Sequence, residues 1–306
     1  MRTLSSPTLW SLSLISVAVS LLFGIVQAAP VAAEAQITLS PTAHRLTIEP
    51  NKTYNGTVTI VNSSESPMKV RMYAAPYHVA DELYNPVFSQ ETARTQISRW
   101  IQIDQQNLTL AANQQATIGF NITTPSSIPA GGQYAAIFAE TDETSAGTIM
   151  RKKRVGMLVY AKTRGDTVEK GSAAITKLPF FQIGSEIVFE SRLRNNGNTD
   201  LTGKVSVHAK PLFGDAAFSQ TQEKVVLPDT TRRVATQWNK LPAFGLVNVT
   251  QRIDLAGKTT VSEQWLLLSS PVWLLGILAI VVALIIGGIY AYKRSHQRVS
   301  MRRSRR

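Results

Sequence analysis

Between Ile37 and Lys162 apolar and polar residues alternate with a period of two, and the stretches that alternate are separated by clusters of Gly, Pro, Asn and Ser. That period places successive side chains on opposite faces of a strand, so each stretch predicts a half-buried β-strand. Ile37 to Ser40, His44 to Pro50, Gly56 to Ser64 and Met68 to Tyr77 read this way. Asn107 to Pro125 reads as a hairpin: Leu108 and Leu110 go out, Asn113-Gln114 turns, and Ile118, Phe120 and Ile122 return. Pro129-Ala130-Gly131-Gly132 then breaks the chain before two fuller apolar strands, Gln133 to Glu140 and Val155 to Lys162. A helical period extends no further than a turn or two around Gln90 to Arg99.

A second block of the same kind follows. Glu186 to Pro211 predicts two strands joined at Asn195-Asn196-Gly197-Asn198, and Arg232 to Pro242 and Phe244 to Leu255 continue the series. Many short strands at this spacing predict a mainly β chain of two tandem immunoglobulin-like antiparallel sandwiches, over 36–165 and 168–264. The short charged segment Arg164 to Lys170 predicts a tight linker between them.

The two ends break the alternation. Leu9 to Val26 is continuously apolar, follows only Arg2 and is succeeded by small residues, which predicts a secretory signal over 1–28, with Ala33-Glu34-Ala35 as a second cleavage position. Pro271 to Tyr292 is uncharged and long enough, at about 1.5 Å per residue, to cross a hydrocarbon layer of roughly 30 Å. Trp265 and Trp273 border it on one side, Tyr290 and Tyr292 on the other. The tail, 293–306, then carries seven cations and no acid. Cations gather on the cytoplasmic side, so the expected topology is a single span in the plasma membrane with the sandwiches outside and the tail inside.

Charge acquires its meaning from this layout. The chain has 32 Lys and Arg against 20 Asp and Glu, a net charge of +12. Without the seven tail cations and Arg2, 24 basic residues face the 20 acids, so the body is nearly balanced and a nucleic-acid partner is not expected. The absence of cysteine removes disulfides, thiol nucleophiles and thiolate metal sites. His44, His78 and His208 stand singly, without the spacing of metal ligands, and Gly257-Lys258-Thr259 lacks the earlier glycine of a phosphate loop. No catalytic, cofactor or metal site is therefore expected, and the chain reads as a non-enzyme. Two binding features stand out. Arg151-Lys152-Lys153-Arg154 puts four cations between two strands, where they could meet an anionic wall polymer or stay solvated at a hairpin tip. Tyr73, Tyr77, Tyr84, Phe88 and Trp100 cluster in an irregular segment; of these Tyr77, Tyr84 and Trp100 are the candidate aromatic ligand contacts, against the alternative of core packing.

Ser40 to Ala74, Ile128 to Glu140 and Arg154 to Lys162 resemble the N-terminal module of the WxL-interacting surface proteins of Gram-positive bacteria. The order of parts, from signal to basic tail, is similar over the whole chain. The resemblance implies a peptidoglycan-binding first module and a second module that meets a host or another protein, although Leu193 to Gly214 is only generically immunoglobulin-like. The opening strands also resemble the first domain of periplasmic pilus chaperones, which are soluble, whereas this chain has a terminal span. Two functions follow as expectations: a surface protein that binds a cell-wall glycopolymer or partner surface protein, and a membrane-tethered assembly factor, chaperone-like, for an exported protein.

Overall fold

Alternating residues become nineteen strands and one long helix in a computed structural model that describes 37–144, 150–165, 167–214 and 217–303. The expected signal segment, 1–28, lies outside the described residues. In the first sandwich one sheet runs β1 (Ile37–Ser40), β3 (Thr53–Asn62), β9 (Gln115–Thr123), β7 (Ile101–Ile103). The facing sheet runs β2 (Ala43–Ile48), β11 (Met150–Thr163), β10 (Gly132–Thr144), β4 (Met68–Pro76), β8 (Asn107–Leu110). A two-stranded ribbon, β5 (His78–Val79) with β6 (Pro86–Val87), projects from the end of β4. The helical period near Gln90 to Arg99 is one 3-10 turn, Gln96–Arg99, which buries Ile97.

The second sandwich packs β12 (Gly171–Ile175), β14 (Ile187–Asn195) and β17 (Thr231–Trp238) against five strands. These are β13 (Phe181–Ile183), β19 (Lys258–Ser269), β18 (Phe244–Leu255), β15 (Leu201–Pro211) and β16 (Phe218–Val226), in that order. Ser270 alone then separates β19 from helix α1 (Pro271–Arg303). Pro271–Tyr292 is the one helix, among the described residues, long and apolar enough to cross a membrane. Two sandwiches are thus the fold the alternation predicts, antiparallel except that β2 runs parallel to β11 and β13 to β19.

One expectation of local pairing is corrected. The predicted hairpin at 107–125 does not form: β8 pairs with β4, whereas β9 pairs with β3 and β7 in the opposite sheet. Asn113 does turn the chain, with φ of 56°, but the turn carries it across the core. Likewise β14 and β15, joined at Asn195 to Asn198, lie in different sheets. Turn residues fix where a chain reverses; which sheet receives the returning strand depends on which face must be buried. A buried asparagine secures each crossing. Asn62 donates to the Ser66 and Ala111 carbonyls at 2.9 Å and accepts from the Ser64 N–H at 3.0 Å. Asn195 donates to the Thr199 and Val226 carbonyls at 2.7 and 2.8 Å and accepts from the Gly197 N–H at 2.8 Å. Both side chains are fully buried, and these bonds satisfy backbone groups that no ladder reaches.

Candidate functional site

The two sandwiches meet through the break that the sequence shows at Pro129 to Gly132 and the turn at Asn195 to Asn198. Gly132 N–H donates to the Asn198 carbonyl at 2.7 Å, and Arg94 Nη1 donates to the same oxygen at 3.0 Å. Gly131 has φ of 95°, and a Cβ there would stand 2.1 Å from that oxygen, so only glycine permits the approach. Arg45 pairs with Asp200 at 2.7 Å while its guanidinium lies 4.3 Å from the centre of the Tyr160 ring. From the β5–β6 ribbon, Glu82 pairs with Arg192, and its carbonyl accepts the Arg233 N–H at 2.7 Å. The linker is held from both sides: Arg164 pairs with Glu49, and the Lys170 carbonyl accepts the Asn196 N–H.

This contact claims two of the candidate aromatic residues. Tyr77 is buried with Tyr134, Tyr160 and Leu227 of the second sandwich, and its ring stacks on Phe88. The Tyr84 hydroxyl accepts the Leu227 N–H at 2.6 Å, bonds Thr230 at 2.7 Å, and its ring carries Arg232 at 4.2 Å. Trp100 instead packs against the core of the first sandwich. The three are therefore divided between an interface and a core and do not form one exposed face for a sugar ring. Burial pushes the hydroxyls of Tyr77, Tyr84, Tyr134 and Tyr160 above the ordinary tyrosine value.

The four cations are not a hairpin tip. They form the first part of β11 and pair across the ladder with an acid-rich stretch: Arg151 with Glu143, Lys152 with Asp142, Lys153 with Thr141 and Arg154 with Glu140. Strand geometry sends neighbouring side chains to opposite faces, and their surroundings differ accordingly. Lys152 Nζ lies 3.8 Å from Glu140. Arg154 lies over the Phe138 ring at 4.3 Å and the Phe88 ring at 5.4 Å, and Lys153 is half-buried. The alternation that makes the strand thus sends Lys152 and Arg154 to one face and Lys153 to the other. Glu140 also accepts from the Tyr73 hydroxyl at 2.7 Å and pairs with Arg71 at 3.2 Å; that hydroxyl, with the cations beside it, holds its carboxyl below the usual range.

What the strands leave open is the outer edge of β11. Its inner edge pairs with β10 from Met150 to Lys162. On the outer side β2 runs parallel to it from Leu158↔Ala43 to Thr163↔Ile48. The Leu158 N–H, donating to the Thr42 carbonyl at 3.0 Å, is where this coverage begins. Among the described residues no strand pairs with the outer edge of 150–157. Backbone groups of a strand face its two neighbours alternately. Since Leu158 faces β2, the N–H and C=O groups of Gly156 and Arg154 face the open side. Val155 and Met157 point the other way in side chain, into the core, so the segment is firmly seated although its edge is bare. Gly156 is required, because a Cβ there would come within 2.7 Å of the Phe138 ring. The open edge was not singled out from sequence; the one signal for it is that the apolar run ending at Lys162 continues upstream into the cations.

Two surface grooves adjoin these elements. One, about 510 Å³, is lined by Lys69, Arg71, Gln105, Asn107, Glu140 and Lys152. The other, about 660 Å³, lies between the sandwiches, and its charges are paired, Arg45 with Asp200 and Lys162 with Glu169. Among the described residues no three His, Asp or Glu side chains gather to hold a metal ion.

No family model and no curated protein matches the chain. Solved structures do. The class 5 fimbriae chaperone CfaA is similar at 12% identity and a TM-score of 0.38, covering 76% of this chain and 99% of its own. The CsuC-CsuE chaperone-tip adhesion subunit pre-assembly complex of Acinetobacter baumannii gives 13% identity and a TM-score of 0.39, covering 77% and 99%. The Pseudomonas aeruginosa CupB2 chaperone gives 10% and 0.38, covering 75% and 100%. At these identities and TM-scores the likeness carries no argument about binding, which rests on this chain's own geometry.

Proposed function

We propose that this chain is a membrane-tethered factor that holds another exported polypeptide by taking one of its strands along the outer edge of β11. The observation that carries this is the mismatch in length between β11 and β2, which, among the described residues, leaves 154–157 with β10 as the one strand partner. An extended segment that docks there gains main-chain hydrogen bonds, and its alternate side chains find or miss pockets beside the edge, which gives selectivity. Open edges invite indiscriminate pairing, and charged side chains on the edge strand suppress it. Lys152 and Arg154 supply that charge. The tether is α1, with the basic tail retained inside and both sandwiches outside.

The decisive variant is Arg154→Pro. The Arg154 N–H faces the open side, so proline removes a donor the partner needs and leaves the β10 ladder its own bonds. With a photo-crosslinking residue at Lys152 in the full-length chain, in cells that export its natural companions, one exported protein is expected to be captured through an extended segment. Arg154→Pro abolishes that capture. Capture unchanged by Arg154→Pro, or retention of the detergent-solubilised full chain on purified wall sacculi with no crosslink, overturns the proposal; the latter is the wall-polymer outcome implied by the resemblance to WxL-interacting proteins.

A further inference from the structure

Every exposed phenylalanine among the described residues lies at one end of the second sandwich. Phe180, Phe181, Phe213 and Phe244 are 56%, 44%, 85% and 51% exposed, and Ile183 and Leu212 beside them are 56% and 51% exposed. They come from three separate connections, yet register brings them level. Phe181 pairs with Leu267, and Ile183 and Phe244 with Ser269. The Leu212 N–H donates to the Leu246 carbonyl, opposite Leu267, and the Phe180 carbonyl accepts the Leu267 N–H. At about 3.3 Å per residue of strand, this rim stands within roughly 10 Å of Ser269 along the strand direction.

Ser269 is the end of β19, and helix α1 starts after one residue. The join is short and bonded: Ser270 N–H donates to the Ala243 carbonyl at 2.7 Å, and its own carbonyl accepts the Trp273 N–H at 3.1 Å. The Phe244 ring lies 6.1 Å from the Trp273 ring, so the rim is continuous with the first turn of the apolar helix. An apolar patch on a soluble face normally marks a contact. Here the helix names the partner, because a chain that enters a bilayer at Trp273 cannot hold residues bonded to Ser269 and Ser270 far from its surface. Aromatic side chains favour that interfacial layer.

We infer that this rim inserts into the lipid interface, so that the second sandwich stands on the membrane and does not swing from its tether. Phe213, the most exposed, is the leading anchor. Asn239 lies in the connection between β17 and β18 that leads to Phe244. A rigidly standing second sandwich, joined to the first by the bonded interface above, fixes the height and direction in which β11 is presented. The inference rests on α1 spanning the bilayer, and the test separates the two.

The chain has no cysteine, so single cysteines can carry an environment-sensitive fluorophore one at a time. Full-length protein with the label at Phe213→Cys, Asn239→Cys, Lys258→Cys or Ile280→Cys is reconstituted in phosphatidylcholine and phosphatidylglycerol vesicles containing nitroxide-bearing lipid. Lys258 marks the opposite turn of the β18–β19 hairpin, and Ile280 the middle of the span. Quenching is expected at 213, 239 and 280 and not at 258. Quenching at 280 alone overturns the docking and leaves the span standing; absence at 280 removes the span and the inference with it. Phe181→Ser, Phe213→Ser and Phe244→Ser combined are expected to abolish quenching of the label at 239. Undiminished quenching there would mean that the tether alone holds this end close, and would overturn the role of the rings.

Discussion

In the first sandwich Asn62 and in the second Asn195 sit fully buried where a strand leaves one sheet for the other, each bonded to a carbonyl four residues on and to the N–H two residues on. The corners are built alike, but the interiors are filled differently. The first sandwich has one continuous apolar cluster, running from Ile37 through Ile60, Phe120 and Ile137 to Ala161. The second has two, one around Phe189, Trp238 and Val249 and another around Leu193, Val234 and Ile253. The gap between them is polar. Ser191 falls between Phe189 and Leu193, Thr236 between Val234 and Trp238, and Gln251 between Val249 and Ile253, all three on the inward face and at most 1% exposed. Thr236 receives a bond from Gln222 at 3.0 Å, whereas neither end of the Gln251 amide has a protein partner. In the first sandwich the polar inward positions of β10, Gln133 and Thr141, stand at the two ends of the apolar run Ala135, Ile137 and Ala139, whereas in the second a polar layer crosses between two clusters and spends part of the packing gain on desolvation. The strand edge left open belongs to the first sandwich, the one with the continuous cluster.

The comparison breaks most visibly at Ile60. It is fully buried at the centre of the continuous cluster, so Ile60→Ala is expected to cost about 2–5 kcal/mol and to unfold the first sandwich in one transition. Denaturant titration of the full chain measures this; a loss below 1 kcal/mol on that scale would mean that the cluster collapses around the gap and is not tightly packed. Gln251→Leu runs in the opposite direction. Joining the two clusters while removing an unpartnered buried amide is expected to stabilise the second sandwich by about 1–2 kcal/mol. A loss of stability in the same titration would show that Gln251 binds something the polar layer needs.

The smallest effect concerns the contact between the sandwiches and appears only in alkali. Tyr77, Tyr134 and Tyr160 hold their protons above the ordinary tyrosine value, chiefly because burial penalises the phenolate. In the native state the protons stay on in a range where the unfolded chain has lost them, so the native state binds more protons there and its stability falls as pH rises. The contribution is complete below about pH 10 and diminishes above it. Tyrosinate absorbance should therefore rise together with the separation of the sandwiches. Gradual ionisation of all tyrosines with the fold intact would contradict the burial at this contact.

Residue pattern alone was enough for most of the longer strands, for the fold class and for the apolar helix, whereas β16 and the short β5, β6, β7, β12 and β13 were not read from it. Each follows from a property carried within a few residues: the period of two, the turn-forming Gly, Pro and Asn, and a run of apolar residues longer than any strand. Even the bonded seam was present as Pro129 to Gly132 and Asn195 to Asn198, although nothing local says that one loop fits the other. The pairing of strands was not available in this way. Asn107 to Pro125 has the residues of a hairpin and forms a crossing between sheets, because the faces of β8 and β9 are buried by partners far away in sequence. The four cations could not be placed for the same reason, since whether a strand covers their outer edge depends on where β2, from more than a hundred residues earlier, stops pairing with β11. The candidate tyrosines became interface residues only when a second module was set against them. An open edge and a level rim of phenylalanines are both properties of register, which is decided by long-range burial and not by the residues that display it.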